Sequence, residues 1–285
     1  MQTVHSVSQV REYVRGWHQK GQSVGFVPTM GNLHDGHISL IKEARARCDV
    51  VVVSIFVNPT QFGPNEDFDR YPRTLEADAA ALVDAGTDLL FAPSVDEMYP
   101  LGQNQTWVDV DALGDHLCGA SREGHFRGVT TVVSKLFNIV QPDVAVFGEK
   151  DFQQLAILRR MCEELLFPIK IVGAPTSRES DGLARSSRNG FLSASERTLA
   201  PQLYQALQQL KADIEAGEQD YRALENRYRE QLDQTGFQVD YLTVANARSL
   251  APANADDTDL VVAVAAKLGN TRLIDNVSLA VVRDQ

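Results

Sequence analysis

A chain of 285 residues, 44% hydrophobic and 23% charged, is long enough to bury one large core or two smaller ones. A formal net charge of −11 speaks against a nucleic-acid surface, because backbone phosphates are bound by clustered Lys and Arg, so any anionic ligand must meet a local positive pocket. Cys48, Cys118 and Cys162 are widely spaced and form no CxxC pair, which argues against a disulfide framework or a zinc ribbon and for a reducing, cytoplasmic compartment.

In chain order, Met1 to Lys20 reads as a polar amphipathic stretch without the apolar core of a signal peptide, and no run approaches the ~20 apolar residues of a membrane span. Residues 1–175 then alternate short apolar runs with helical patterns, the signature of βαβ units that build a parallel sheet. The runs Ser23–Val27, Val50–Val57, Asp88–Phe91, Val144–Phe147 and Ile169–Val172 are predicted strands; they are rich in β-branched residues and lack alternation, which suits burial on both faces. Helices are predicted at Ile38–Arg47, at Thr74–Ala85 with Thr74 as N-cap and Gly86 as stop, at Val129–Val140 and at Phe152–Leu166. Between Asn58 and Arg73 the prolines and glycine of NPTQFGPNEDFDRYPR leave no periodicity, so a long loop is expected.

After Pro175 the pattern changes. Ser193 and Glu196 form a capping-box signature that opens a long helix, and a second helix is predicted from Tyr221 to about Gln234. Three strand-like runs follow, Gln238–Val244, Leu260–Ala265 and Arg272–Asp275, with no helical pattern left for crossovers. The expected fold class is therefore α/β: a Rossmann-like doubly wound parallel sheet over 1–175, with a smaller C-terminal α+β domain over 176–285 containing a short antiparallel sheet.

Three constellations carry chemistry. The first, Pro28 to His37 (PTMGNLHDGH), follows the first predicted strand and opens a helix, where unpaired N–H groups and close-approaching glycines make a phosphate seat. His34 and His37 would point over it and stabilise charge that develops on a phosphate. Two other readings stay open: surface histidines in a turn, or half of a metal site, although no third or fourth ligand of matching character lies nearby. The second constellation, Ser186-Ser187-Arg188-Asn189, offers hydroxyls and a guanidinium suited to phosphate. The third runs from Gly148 through Glu149, Lys150 and Asp151 to Gln154, at the carboxyl end of a predicted strand, where open parallel sheets bind ligands. Asp151 can meet a ribose hydroxyl or simply cap a helix.

The HxGH element is similar to that of a superfamily of nucleotidyltransferases and class I aminoacyl-tRNA synthetases, and Ser186–Asn189 resembles its mobile KMSKS-type loop. Successive segments narrow this further. PTMGNLHDGH, SIFVNPTQFGPNEDFDRYPRT, REGHFRGVTTVV, FGEKDFQQL, DGLARSSRNGFLS and TRLIDN, in this order and over nearly the whole chain, resemble the signatures of the pantothenate synthetase family. In that family ATP and pantoate give pantoyl adenylate and pyrophosphate, and β-alanine then releases pantothenate and AMP.

The resemblance implies a magnesium-dependent homodimer acting on small molecules, with neither nucleic acid nor membrane as partner. It implies an ATP- and pantoate-binding domain over 1–175 and a domain over 176–285 that carries the KMSKS-like loop and closes over the active site. Met30, Gly31, His34 and His37 would line the ATP site, with His37 the proton donor. Gly148, Glu149, Lys150 and Asp151 would continue that site, with Ser177, Arg185, Ser186, Ser187 and Arg188. His34, His37 and Lys150 would be the catalytic set. Gln61 and Gln154 would bind pantoate through their amides, with Arg122 as a further substrate contact, and Asp78 would bind magnesium.

Three positions depart from the family pattern. Arg185 stands where Met is usual, which adds a cation beside the nucleotide. Glu123 stands in place of a proline and leaves Arg122 beside an acid. Ser177 replaces an aliphatic residue and is expected to meet adenine through its backbone. From the residues alone, the expected chemistry is in-line attack of a carboxylate on the α-phosphorus, with the loop from Gln61 to Arg73 as a lid that excludes water from the adenylate. The rival readings are a nucleotidyltransferase that keeps the adenylyl group in its product, and a non-catalytic nucleotide-binding or zinc-stabilised protein on the same sheet.

Overall fold

A computed structural model describes residues 1–64, 66, 68–102 and 104–281. Its regular elements begin with β1 (Gln2–Val4), α1 (Val7–Gln19), β2 (Val24–Thr29), α2 (Asp35–Arg45), β3 (Val50–Ile55), α3 (Leu75–Asp84), β4 (Leu89–Phe91) and α4 (Val95–Met98). They continue with α5 (Leu117–Ser121), α6 (His125–Val140), β5 (Val144–Gly148), α7 (Phe152–Glu164) and β6 (Lys170–Ala174). The last are α8 (Ala194–Leu199), α9 (Gln202–Glu215), α10 (Tyr221–Gln234), β7 (Phe237–Asn246), β8 (Asp259–Leu268) and β9 (Thr271–Ala280). The chain divides into two compact units. The first holds Met1–Gly114, Gly119–Glu149 and Gln154–Pro175; the second holds Asp115–Cys118, Lys150–Gln153 and Thr176–Gln285.

In the first unit six strands run parallel in the order β1-β4-β3-β2-β5-β6. The valines of β3 are buried throughout, as the missing alternation predicts. One face of the sheet packs Val27, Val51, Val53 and Val146 against Ile41 and Ala44 of α2 and Leu82 of α3. On the other face Phe26, Phe137 and Phe147 meet edge to face, and Val10 and Val14 of α1 are buried. The strand order reverses at β2, between β3 and β5, so the carboxyl end of β2 is the switch point at which such sheets take ligands.

Several elements differ from expectation for local reasons. The first strand is only three residues long and pairs with β4 at one edge, too short to leave a pattern. Ser6 and Gln9 close a capping box that starts α1. Helix α2 begins at Asp35 rather than Ile38, because His34 itself is the N-cap. Thr74 occupies the N-cap position of α3 without making the side-chain cap; its hydroxyl donates to Asp78 instead. The long helix expected after Ser193 is two helices, α8 and α9, with Pro201 between them lacking the N–H that continuity needs.

In the second unit the strands β7-β8-β9 form an antiparallel sheet. Leu203, Leu207, Leu210, Leu224 and Tyr228 of α9 and α10 share one core with Val262, Val264 and Leu273. Each strand runs to ten residues, longer than the apolar runs suggest. The three cysteines are buried and form no disulfide, and among the described residues no helix is long and apolar enough to cross a membrane.

Candidate active site

In the first unit the site begins where β2 ends. Gly31 and Asn32 both adopt positive φ, +81° and +51°, so the chain turns sharply out of the sheet. A Cβ on Gly31 would lie 3.0 Å from Ile55 Cγ2 and 3.1 Å from Asp78 Oδ2, which restricts the position to glycine on two counts. The main-chain N–H groups of Asn32 and Leu33 donate to opposite oxygens of the Asp78 carboxylate, at 2.9 and 2.8 Å, and the Thr74 hydroxyl donates to it at 3.1 Å.

The turn delivers His34 to the N-cap of α2. Its Nδ1 accepts the N–H of Gly36 at 3.1 Å, while its own N–H donates to His37 Nδ1 at 3.3 Å. The rings sit 4.2 Å apart between centroids. A nitrogen that accepts a hydrogen bond holds no hydrogen, so in each neutral ring the hydrogen is on Nε2. Two Nε2–H donors at a helix N-terminus form an arrangement for a phosphate oxygen.

Gln61 ends a short 3-10 turn after β3, opened by Pro59 and capped by Asn58. Asn58 is 1% exposed and organises the whole turn. Its amide donates to Gln61 Oε1 (3.1 Å) and to the Gly128 carbonyl (3.2 Å), and its Oδ1 accepts from Tyr99 Oη at 2.7 Å. Gln61 Nε2 lies 3.3 Å from Met30 Sδ, so the fold brings together Met30, Gln61, His34 and His37 around the end of β2. The loop beyond is packed on its own aromatic side chains: Phe62 stacks edgewise on Phe68 and Tyr71, and Arg73 covers Phe68. Asn65 and Asp67 of the expected lid lie outside the described residues. Gln154 is partly buried on the first turn of α7.

Two of the expected site residues are engaged with other parts of the protein. The sequence points to Asp78 as a magnesium ligand; it is 3% exposed, and its two oxygens accept from main-chain and hydroxyl donors, so the carboxylate shapes the histidine turn. The sequence also points to Arg122 as a substrate contact. Its Nε and Nη2 grip the two oxygens of Glu66 at 2.6 and 2.7 Å, and Nη1 meets His125 Nε2 at 2.8 Å. The acid that matters to Arg122 is Glu66, not the neighbouring Glu123. His125 Nδ1 donates to the Gln61 carbonyl at 2.7 Å, so this network ends on the residue it supports. Burial raises the Glu66 carboxyl, but the hydrogen bonds and charge of Arg122 outweigh it and hold the group below the usual range.

In the second unit Lys150 and Asp151 lie on a 3-10 turn, and the Lys150 carbonyl accepts from Asn276 Nδ2 at 2.9 Å. Ser177 starts a hairpin: Arg178 bridges Ala184, and the Arg185 N–H donates to the Ser177 carbonyl at 2.9 Å. The Arg185 guanidinium sits 3.3 Å from Glu179, which offsets the extra cation that the sequence suggests. Ser186 caps the turn Ser187–Phe191 by accepting the Arg188 N–H, and Asn189 donates to the Ala184 carbonyl. Gly148 and Glu149 group with the first unit and Lys150 and Asp151 with the second, so the expected nucleotide segment is divided between the two.

A family model described as pantoate-beta-alanine ligase matches residues 2–278. The chain belongs to the pantoate-beta-alanine ligase family. A pantothenate synthetase from Alcanivorax borkumensis is 85% identical over 285 residues, all of both chains. Among solved structures, a pantothenate synthetase from Thermus thermophilus superposes with a TM-score of 0.91 at 46% identity, covering 97% of this chain and 99% of that one. A pantoate-beta-alanine ligase from Francisella tularensis, described as complexed with beta-gamma ATP and beta-alanine, gives 0.82 at 35% identity over 97% of each chain. In this member of the pantoate-beta-alanine ligase family, sequence reasoning does not single out Asn58, Glu66, Tyr99, His125, Arg178, Asp275 or Asn276. The SIFVNPTQFGPNEDFDRYPRT, REGHF and TRLIDN segments contain Asn58, Glu66, His125, Asp275 and Asn276, without indicating what each one holds.

Proposed function

We propose that this chain condenses pantoate with β-alanine using ATP, by way of an enzyme-bound pantoyl adenylate. A pantoate carboxylate oxygen attacks the α-phosphorus, and the bond to the bridging oxygen breaks as pyrophosphate leaves. The amine of β-alanine then attacks the acyl carbonyl, AMP departs, and the nitrogen loses a proton as the amide forms. No protein nucleophile takes part; positioning and charge stabilisation supply the rate.

The observation that carries the reading is the pair of imidazoles at the start of α2, each with Nδ1 taken by a main-chain N–H and its hydrogen therefore on Nε2. We assign His34 and His37 to the phosphates, with His37 as proton donor, and Lys150, Ser186, Ser187 and Arg188 to the charge of the leaving pyrophosphate. Met30, Gly31, Gly148, Glu149, Asp151, Ser177 and Arg185 are assigned to the remaining nucleotide contacts. Gln61 and Gln154 are assigned to pantoate, whose hydroxyls and carboxylate neutral amides satisfy without adding charge.

Magnesium is proposed to enter with the triphosphate and to screen its charge, with Asp78 assigned to it and Arg122 to substrate. We further propose a cytoplasmic homodimer, in which the buried thiols remain reduced, and a lid role for the loop from Gln61 to Arg73. The test is to supply ATP, magnesium and pantoate and to follow AMP: release should require β-alanine. AMP released equally without the amine would overturn the reading, and retention of the adenylyl group in a dinucleotide product would favour the rival transferase.

A further inference from the structure

The phosphate-side segments of the second unit lie far apart in sequence, yet both end on the same two residues. Asn276 Nδ2 donates to the Lys150 carbonyl at 2.9 Å, across 126 residues. Its neighbour Asp275 grips Arg178 fork to fork, Oδ2 with Nη1 at 2.7 Å and Oδ1 with Nη2 at 2.9 Å. Both strand residues are buried, Asp275 at 4% and Asn276 at 7% exposure. They are fixed to one another as well, since the Asn276 N–H donates to Asp275 Oδ1 at 2.8 Å.

Arg178 transmits this anchor to the hairpin. Its guanidinium lies 3.6 Å above the Tyr204 ring and donates to the Gly182 carbonyl at 3.1 Å. Gly182 has φ +95°, and a Cβ there would meet Tyr204 Cδ1 at 2.8 Å, so the turn is moulded on the ring that carries the arginine. From Arg178 the ladder runs through Ala184 to the Arg185 N–H on Ser177, and then into Ser186, Ser187 and Arg188. A buried ion pair adds little net stability over apolar residues of the same volume. What it does supply is a single geometry, since a bidentate guanidinium and carboxylate meet in one orientation.

We infer that Asp275 and Asn276 are positioning residues for adenylation: one strand position sets the hairpin leading to Ser186–Arg188, the next sets the main chain of Lys150, and together they fix the spacing of the phosphate donors. The inference rests on the assignment of those donors to ATP. Neither residue touches a reacting atom.

The test separates the two half-reactions. Asn276→Ala removes the donor to Lys150, and Arg178→Lys keeps the charge opposite Asp275 while losing the fork and the ring contact. Two variants are used so that a failure of one to fold leaves the other to decide; each protein is checked by its melting curve and assayed well below its midpoint. Each variant is expected to raise the KM for ATP about tenfold in pantoate-dependent pyrophosphate exchange, the loss typical of one polar contact. Transfer of β-alanine onto supplied pantoyl adenylate should stay within about twofold. Wild-type ATP kinetics in the folded variants, or an equal loss in both half-reactions, would overturn the inference. Calorimetric titration of ATP into the same proteins keeps the two readings distinct: wild-type protein that binds ATP without exchange defeats the proposed function, while the anchor is then judged by whether the variants weaken that binding.

Discussion

The Asp78 carboxylate accepts the main-chain N–H of Leu33 at 2.8 Å, across 45 residues of chain. With its second oxygen on Asn32, it holds the left-handed turn from which both histidines hang. Asp78→Ala leaves two N–H groups without their acceptor and is expected to cost about 1–3 kcal/mol of stability. It should also weaken ATP binding about tenfold, as the imidazoles lose their fixed origin. The magnesium concentration for half-maximal activity, measured at saturating ATP, should rise markedly in this variant; an unchanged value would limit Asp78 to holding the turn. Urea unfolding and magnesium titration of the same variant make the comparison.

The Glu66–Arg122 clasp carries a pH signature. Glu66 has its folded pKa lowered below the ordinary 4.5, so the unfolded state binds the proton more readily. The stability it adds is therefore fully present above the unfolded value, and is lost as pH falls through the lower folded value. The difference in unfolding free energy between wild type and Glu66→Gln should be constant from about pH 6 to 8 and shrink below about pH 4.5. A difference that grows on acidification would contradict the clasp. Denaturant titrations across that range measure it directly.

Gly128 lets α6 pass directly beneath the turn that carries Gln61. An added Cβ would sit 2.7 Å from Gln61 Cα and closer still to the Thr60 carbonyl; both neighbours are backbone and cannot swing aside. Gly128→Ala is expected to cost about 1–3 kcal/mol through overpacking. It should raise the KM for pantoate more than that for ATP, because the displaced residue is the proposed pantoate amide. Equal effects on both substrates would argue that Gln61 serves another role.

Much of the fold is legible in the sequence because its signals are local. The valines of β3 advertise burial on both faces, and the histidine turn is written in ten consecutive residues. The supports of the site are not local. Asp78, Asn58, Glu66 and Asn276 reach partners 45, 70, 56 and 126 residues away, and a single sequence has no periodicity that records such pairs. Asp78 and Arg122 share one feature that the sequence does not record: each charged side chain near a signature also holds a distant part of the protein. Polar groups buried at a site are committed to holding it in shape before any are left for the substrate.

Paired imidazoles and Lys150 are proposed to promote transfer of an adenylyl group from ATP to pantoate. Exchange of labelled pyrophosphate into ATP, measured without amine, tests it most directly. The wild-type protein is expected to exchange only when pantoate is present, and His37→Ala and Lys150→Ala are each expected to lower that rate by at least ~10²-fold, the usual loss for one charge-stabilising donor. Exchange that proceeds without pantoate, or at the wild-type rate in both variants, would overturn these assignments.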